Sequence, residues 1–138
     1  LRDDRDKFFF SLIYETAGRC IEIRQLKWKD IFQQPQINIT KVRLRTAKDS
    51  GDEPEREIPI MASLPYLNRW KRQYMELYGI DESNLRDLYI FRKRTDKKNE
   101  FITYAYYNYI CRNLRDKTGI RDLSPKMFRK YGISRFQL

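Results

Sequence analysis

Apolar residues recur along this chain first at helical steps, then briefly at alternating steps, then at helical steps again. Between residues 6 and 17, Phe8, Phe9, Leu12 and Ile13 fall on one helical face behind an acidic start that suits the positive end of the helix dipole. That spacing predicts a buried helix, broken by Gly18. Over 19–28, Cys20, Ile23 and Leu26 predict a second, short helix, with Arg19 and Glu22 sharing another face. From Gln36 the pattern becomes extended: Ile37 and Ile39 alternate, then Val42 and Leu44 alternate on the opposite parity, which predicts two short strands separated by a bulge or break. A polar loop over 48–55 leads to a return strand, "REIPIM", in which Pro59 is best tolerated at a sheet edge.

Ser63 and Pro65 open the next helix, where Leu67, Trp70, Tyr74 and Leu77 recur until Gly79 closes it. A basic loop, "RKRTDKKNE", precedes a helix running from Ile102 to Gly119 with Tyr106, Tyr109, Ile110 and Leu114 on its apolar face. Ser124 as N-cap and Pro125 as first residue open a last helix. The expected fold class is α+β, mainly α-helical with a small antiparallel β-sheet of two or three strands. No internal repeat or low-complexity tract interrupts this order.

Composition narrows the setting. A chain of 138 residues is one domain's worth, so 1–138 is expected to form a single domain around one core. Its 29 basic and 19 acidic residues leave a net charge of +10, for which nucleic acid is the first partner to expect and an anionic membrane surface the second. With no apolar run near ~18 residues, no signal peptide and no lipidation motif, a soluble, cytoplasmic protein is expected. The chain has two cysteines, Cys20 and Cys111, and no histidine, so neither a disulfide framework nor a zinc site is expected. No phosphate-binding glycine loop is present, and no cofactor or metal is expected.

The most pointed chemical signal is "LSPKMFRKYG". Lys126 and Arg129 stand at i, i+3 in the first turns of a helix, where cations oppose the macrodipole. A sequence that accepts that cost is holding positive charge where an anion will sit. The second signal is "YETAGRCIEIRQLKWKDI". This run resembles the first signature box of the tyrosine recombinases, the phage-integrase family, which has the form T-G-x-R-x-x-E-x-x-x-L-x-W-x-D-I. Arg19, Glu22, Leu26, Trp28, Asp30 and Ile31 fall in place, while Ala17-Gly18 replaces the usual Gly-Leu or Gly-Met. "EREIPI" is similar to the family's K-x-R-x-x-P-L hairpin, and "DLSPKMFRKYG" to its second box, with Lys126 where the family usually has His. The K-x-x-R spacing also resembles the type IB topoisomerases, which share the fold and the chemistry.

The resemblance implies a DNA breaking-rejoining catalytic domain. A Tyr hydroxyl attacks a phosphodiester, a five-coordinate phosphorane forms, and a 5′-hydroxyl leaves a 3′-phosphotyrosine link, with no metal. Charge gathers on the non-bridging oxygens, which arginine forks are suited to stabilise. Arg19 and Arg129 are the expected forks, and Lys126 a charged donor to a non-bridging oxygen. Lys48 is the expected general acid, with Lys41 as the fallback, and Glu22 a supporting residue that orients the cluster. Lys41, Arg43 and Arg45 on the hairpin, Arg92, Lys93 and Arg94 in the basic loop, and Lys130 are expected to grip DNA phosphates.

The resemblance further implies double-stranded DNA as partner, a nucleoid-associated site of action and a tetramer on paired sites. The family's third box and its Tyr nucleophile would lie beyond Leu138, so a C-terminally truncated fragment, inactive alone, is expected. Two other readings stay open: type IB topoisomerase-like relaxation, and a non-catalytic basic DNA-binding module. Individual residues also have plainer readings. Arg19 with Glu22 is compatible with a surface salt bridge, Lys126 with Arg129 with simple phosphate positioning, and Lys48 with a solvated turn. The tyrosines of "ITYAYYNYI" are assigned to packing rather than to base stacking.

Overall fold

The computed structural model describes residues 3–45, 55–94, 98–120, 124–127 and 129–130. Helix α1, Asp4–Thr16, starts where the Asp3 side chain accepts the Arg5 N–H at 2.9 Å, and Asp4 and Asp6 add negative charge to its first turn. It is the spine of the core: Phe8, Phe9, Phe10, Leu12 and Ile13 are all buried. Phe9 stacks on Tyr107 with ring centroids 3.5 Å apart and meets Phe91 edge-on.

A short helix α2, Cys20–Arg24, follows, buries Ile23, and leads through buried Leu26 to a 3-10 turn at Trp28–Asp30. The chain then enters a three-stranded antiparallel sheet in the order β1 (Ile31–Gln34), β2 (Ile39–Arg45), β3 (Glu55–Pro59). The sheet corrects the sequence expectation. No bulge separates Ile37–Ile39 from Val42–Leu44, because Ile37 belongs to the β1–β2 turn and Ile39 points outward from an uninterrupted β2. The parity switch is therefore a change of face exposure, with Val42 and Leu44 taking the core side of the strand. β1 itself, short and without a clean alternation, is not visible in the hydrophobic pattern. Pro59 does lie on an edge strand, opposite Lys41.

Helix α3, Leu64–Tyr78, packs on α1 and ends at Gly79, whose φ of 62° is the left-handed cap expected of that glycine. Its N-terminus is capped from another element: the Glu15 carboxylate at the end of α1 accepts the N–H groups of Met61, Ala62 and Ser63 at 2.7, 2.8 and 3.0 Å. Leu67, Trp70 and Tyr74 are buried as expected, but Leu77 is 48% exposed because Tyr78 takes the inner place. Helix α4, Tyr104–Thr118, is turned similarly: Tyr107 and Cys111 are buried, whereas Tyr109, about 200° round the helix from Tyr107, is 55% exposed. Beyond it, residues 125–127 and 129–130 are helical. Among the described residues, no helix is long and apolar enough to cross a membrane.

Candidate active site

The site is built on the turn that leaves α1. Thr16 Oγ1 donates to the Leu12 carbonyl at 2.7 Å and accepts the Gly18 N–H at 3.1 Å, so a buried hydroxyl ties the helix end to the next two residues. Ala17 takes the left-handed conformation, φ 54°, which is costly for a residue with a side chain. Gly18 sits in a tight place for a different reason. A Cβ there would lie 3.0 Å from Leu44 Cδ1 and from Thr16 Oγ1, and 3.1 Å from Ile23 Cδ1. The turn is thus pressed against β2 and α2, and it delivers Arg19 as the N-cap residue of α2.

Glu22 holds this position. Its carboxylate, 3% exposed, accepts the Arg19 backbone N–H at 2.9 Å through Oε1. The same carboxylate receives Arg56 Nη2 from β3, at 3.1 Å to each oxygen. Among the described residues, the Arg19 guanidinium has no carboxylate partner, although its backbone is fixed. Cys20, beside it, has its thiol pushed up by burial, with the Arg24 charge opposing.

The C-terminal signal arrives at the same turn. Met127 N–H bonds to Ser124 at both its carbonyl (3.0 Å) and its Oγ (3.2 Å), which is the N-cap expected of that serine. Arg129 Nε donates to the Ala17 carbonyl at 3.0 Å across 112 residues of sequence. The second motif therefore bonds to the loop two residues before Arg19 of the first. Lys126, one turn earlier on that helix, is exposed, as is Lys130. Lys48 lies outside the described residues.

The two arginines of β2 are engaged with acids. Arg45 Nη1 pairs with buried Asp30 at 3.0 Å and Arg45 Nε with Glu55 at 3.3 Å. Arg43 lies over the Phe32 ring and near Glu55 and Glu57, at 3.6 and 3.9 Å. Lys41 shares their outward row on β2. The two acids of the first motif, Glu22 and Asp30, thus hold the two neighbouring strands at one end, β3 through Arg56 and β2 through Arg45.

The basic loop needs a correction. Arg92 is only 6% exposed: its guanidinium lies 4.1 Å from the Tyr78 ring centroid and donates to the Lys98 carbonyl at 3.3 Å. A side chain so enclosed supports the loop and is not a solvated phosphate grip. Lys93 pairs with Glu100 at 3.6 Å and Arg94 with Asp3 at 2.7 Å.

Sequence reasoning missed Arg56. Two signals were available: Arg56 stands at the Arg of the R-x-x-P pattern in "EREIPI", and it shares the inward row of β3 with Ile58 while Glu55 and Glu57 face out.

The sequence matches the family model described as "Phage integrase family" over residues 2–135. Two solved structures share its fold. One is a XerH site-specific recombinase bound to difH substrate in a pre-cleavage complex, at 20% identity and a TM-score of 0.70 over 96% of this chain. The other is XerH bound to a palindromic difH substrate in a post-cleavage complex, at 21% identity and a TM-score of 0.71 over 97% of this chain. The chain spans 35% of the length of each of these two relatives. No curated protein matches the sequence.

Proposed function

The chain belongs to the phage integrase family, and from that premise we propose that it forms part of the catalytic domain of a site-specific DNA recombinase that cuts and rejoins strands through a 3′-phosphotyrosine link. The observation that carries the reading is the bond from Arg129 Nε to the Ala17 carbonyl. It ties the second motif to the loop two residues before Arg19, which supports reading the two arginines as parts of one site. The XerH structures, pre- and post-cleavage complexes with difH substrate, support a DNA partner, here proposed to be double-stranded.

In this mechanism Arg19 and Arg129 bind the scissile phosphate. Their forks neutralise the charge that grows on the non-bridging oxygens as the phosphorane forms, an effect strongest where water is excluded. Lys126 adds a charged hydrogen bond to one of those oxygens. Lys48 delivers a proton to the departing 5′-oxygen as general acid. Glu22 fixes the Arg19 backbone and takes no proton. Lys41, the outer hairpin arginines, Lys93, Arg94 and Lys130 add salt-dependent attraction to the duplex. Assembly as a tetramer on two sites completes the proposal.

The test uses the native protein and a nicked, labelled duplex that it has selected from a random library, incubated in EDTA. A denaturation-resistant protein–DNA adduct is expected. Arg19→Ala and Arg129→Ala should each slow its formation by roughly 10²–10³-fold, the usual cost of removing one preorganised donor to developing charge. Adduct without exchange between two duplexes would point to topoisomerase-like relaxation. Tight, salt-sensitive binding with no adduct would overturn the catalytic reading in favour of a DNA-binding module.

A further inference from the structure

The geometry points to Arg56 as a positioning residue that acts on Arg19 through Glu22. The inference rests on the reading of Arg19 as a phosphate ligand and extends it to a side chain that touches no substrate. Four observations carry it.

First, Glu22 is almost wholly removed from water, so its carboxylate depends on charged or hydrogen-bonding partners in the protein to replace that water. Second, one oxygen, Oε1, receives both the Arg19 N–H and Arg56 Nη2. The arginine of β3 therefore sets the rotamer of the carboxylate that fixes the Arg19 backbone. Third, Arg56 stands opposite Leu44 in the sheet register, and Leu44 is the residue pressed against Gly18. The hairpin thus meets the Arg19 turn twice, by packing at Leu44–Gly18 and by charge at Arg56–Glu22. Fourth, Arg56 lies on the inward row of β3, apart from the outward row of Lys41, Arg43 and Arg45.

The consequence is positional. A reacting group displaced by about 1 Å can lose some 10²-fold in rate, so the loop that aims Arg19 has to be held from outside its own short helix. Arg56 supplies that hold, and β3 takes part in catalysis without presenting a residue to DNA.

The test compares single-turnover adduct formation, with the native protein saturating a nicked duplex, in the wild type and in an Arg19→Lys background that retains the charge but not the fork. Arg56→Ala is expected to slow the wild type by about tenfold or more, to change the Kd for DNA by less than about twofold, and to cost Arg19→Lys little further. Arg56→Lys should recover much of the rate, because one donor nitrogen serves both Glu22 oxygens. Glu22→Gln, which preserves shape, should match Arg56→Ala in size and add little to it, and it carries the test if Arg56→Ala folds poorly.

Equal slowing of both backgrounds by Arg56→Ala would overturn the inference, as would a loss of DNA affinity that deepens with salt, the mark of a phosphate contact. If Arg19→Lys itself forms adduct as fast as the wild type, the reading of Arg19 fails and the inference falls with it. Those outcomes are distinguishable in the same experiment.

Discussion

Asp6 in α1 and Glu22 in α2 are both carboxylates almost wholly withdrawn from solvent, each beside an arginine, yet the two clusters are completed differently. Around Asp6 the arrangement is closed. Arg5 pairs with it at 3.2 Å and donates to the Tyr106 hydroxyl at 2.8 Å and the Arg92 carbonyl at 3.1 Å, while Tyr106 donates back to Asp6 at 2.9 Å. Cation, anion and phenol satisfy one another, and the network joins α1, α4 and the strand-like segment at Arg92. Around Glu22 the arrangement is open, because the anion is spent on the half-buried Arg19 backbone N–H and on Arg56, and no ion pair joins it to the Arg19 side chain among the described residues. A buried ion pair is therefore no mark of a reaction centre. What distinguishes the second cluster is a cation, Arg19, whose backbone is fixed while its side chain has no carboxylate partner among the described residues.

Breaking the closed cluster should cost stability and leave chemistry intact. Asp6→Ala leaves buried Arg5 with Asp3, 3.6 Å away, as its remaining carboxylate, and is expected to remove about 3 kcal/mol of folding stability, the lower end of the penalty for breaking a buried pair. Urea unfolding measures it, and the adduct rate per folded molecule should match the wild type. An equal loss of rate and stability would erase the distinction between the clusters.

A smaller effect of opposite sign is expected at the open cluster. Ala17→Gly relieves about 1–2 kcal/mol of left-handed strain and returns about 0.4–1 kcal/mol through greater freedom of the unfolded chain. The net should be a gain of roughly 0.5–1 kcal/mol, with the carbonyl that receives Arg129 unchanged and the adduct rate preserved.

The smallest effect is a pH slope. Burial pushes the Asp6 carboxyl above the ordinary carboxylate range, with the Arg5 charge opposing. Because the folded state then holds the proton more tightly than the unfolded one, this group's share of stability grows as pH falls through its raised pKa and fades as pH rises. Asp6→Asn should abolish that component, leaving a stability profile with a steeper acid-side fall between the ordinary carboxylate range and just above it.

These contrasts also explain what was legible in the sequence. The helices were, because Phe8, Phe9, Leu12 and Ile13, or Leu67, Trp70 and Tyr74, keep a helical period long enough to be unambiguous. Leu77 and Tyr109 were misplaced because an amphipathic face with aromatic residues on both sides does not fix its rotation to one residue. β1 was illegible because four residues paired to a strand at one edge carry too little alternation, and Ile37 in the turn imitated a strand position. Arg19, Glu22 and Arg129 were singled out by the resemblance to the family's two boxes. That Arg129 lands on the Ala17 carbonyl, that Arg92 is buried under Tyr78 and that Arg56 reaches Glu22 are facts of tertiary packing. Charge alone could not separate them, since paired, enclosed and open arginines are written with the same letter.

The last turn of α1 does two jobs in adjacent residues: Glu15 caps α3, and Thr16 ties down the loop before Arg19. Each residue inserted into or deleted from a helix rotates everything beyond it by about 100°. A length change anywhere in α1 would swing both side chains away from their targets at once. Natural variation in this helix should therefore be confined to substitutions, with insertions and deletions absorbed elsewhere, so that its length is inherited more strictly than its sequence.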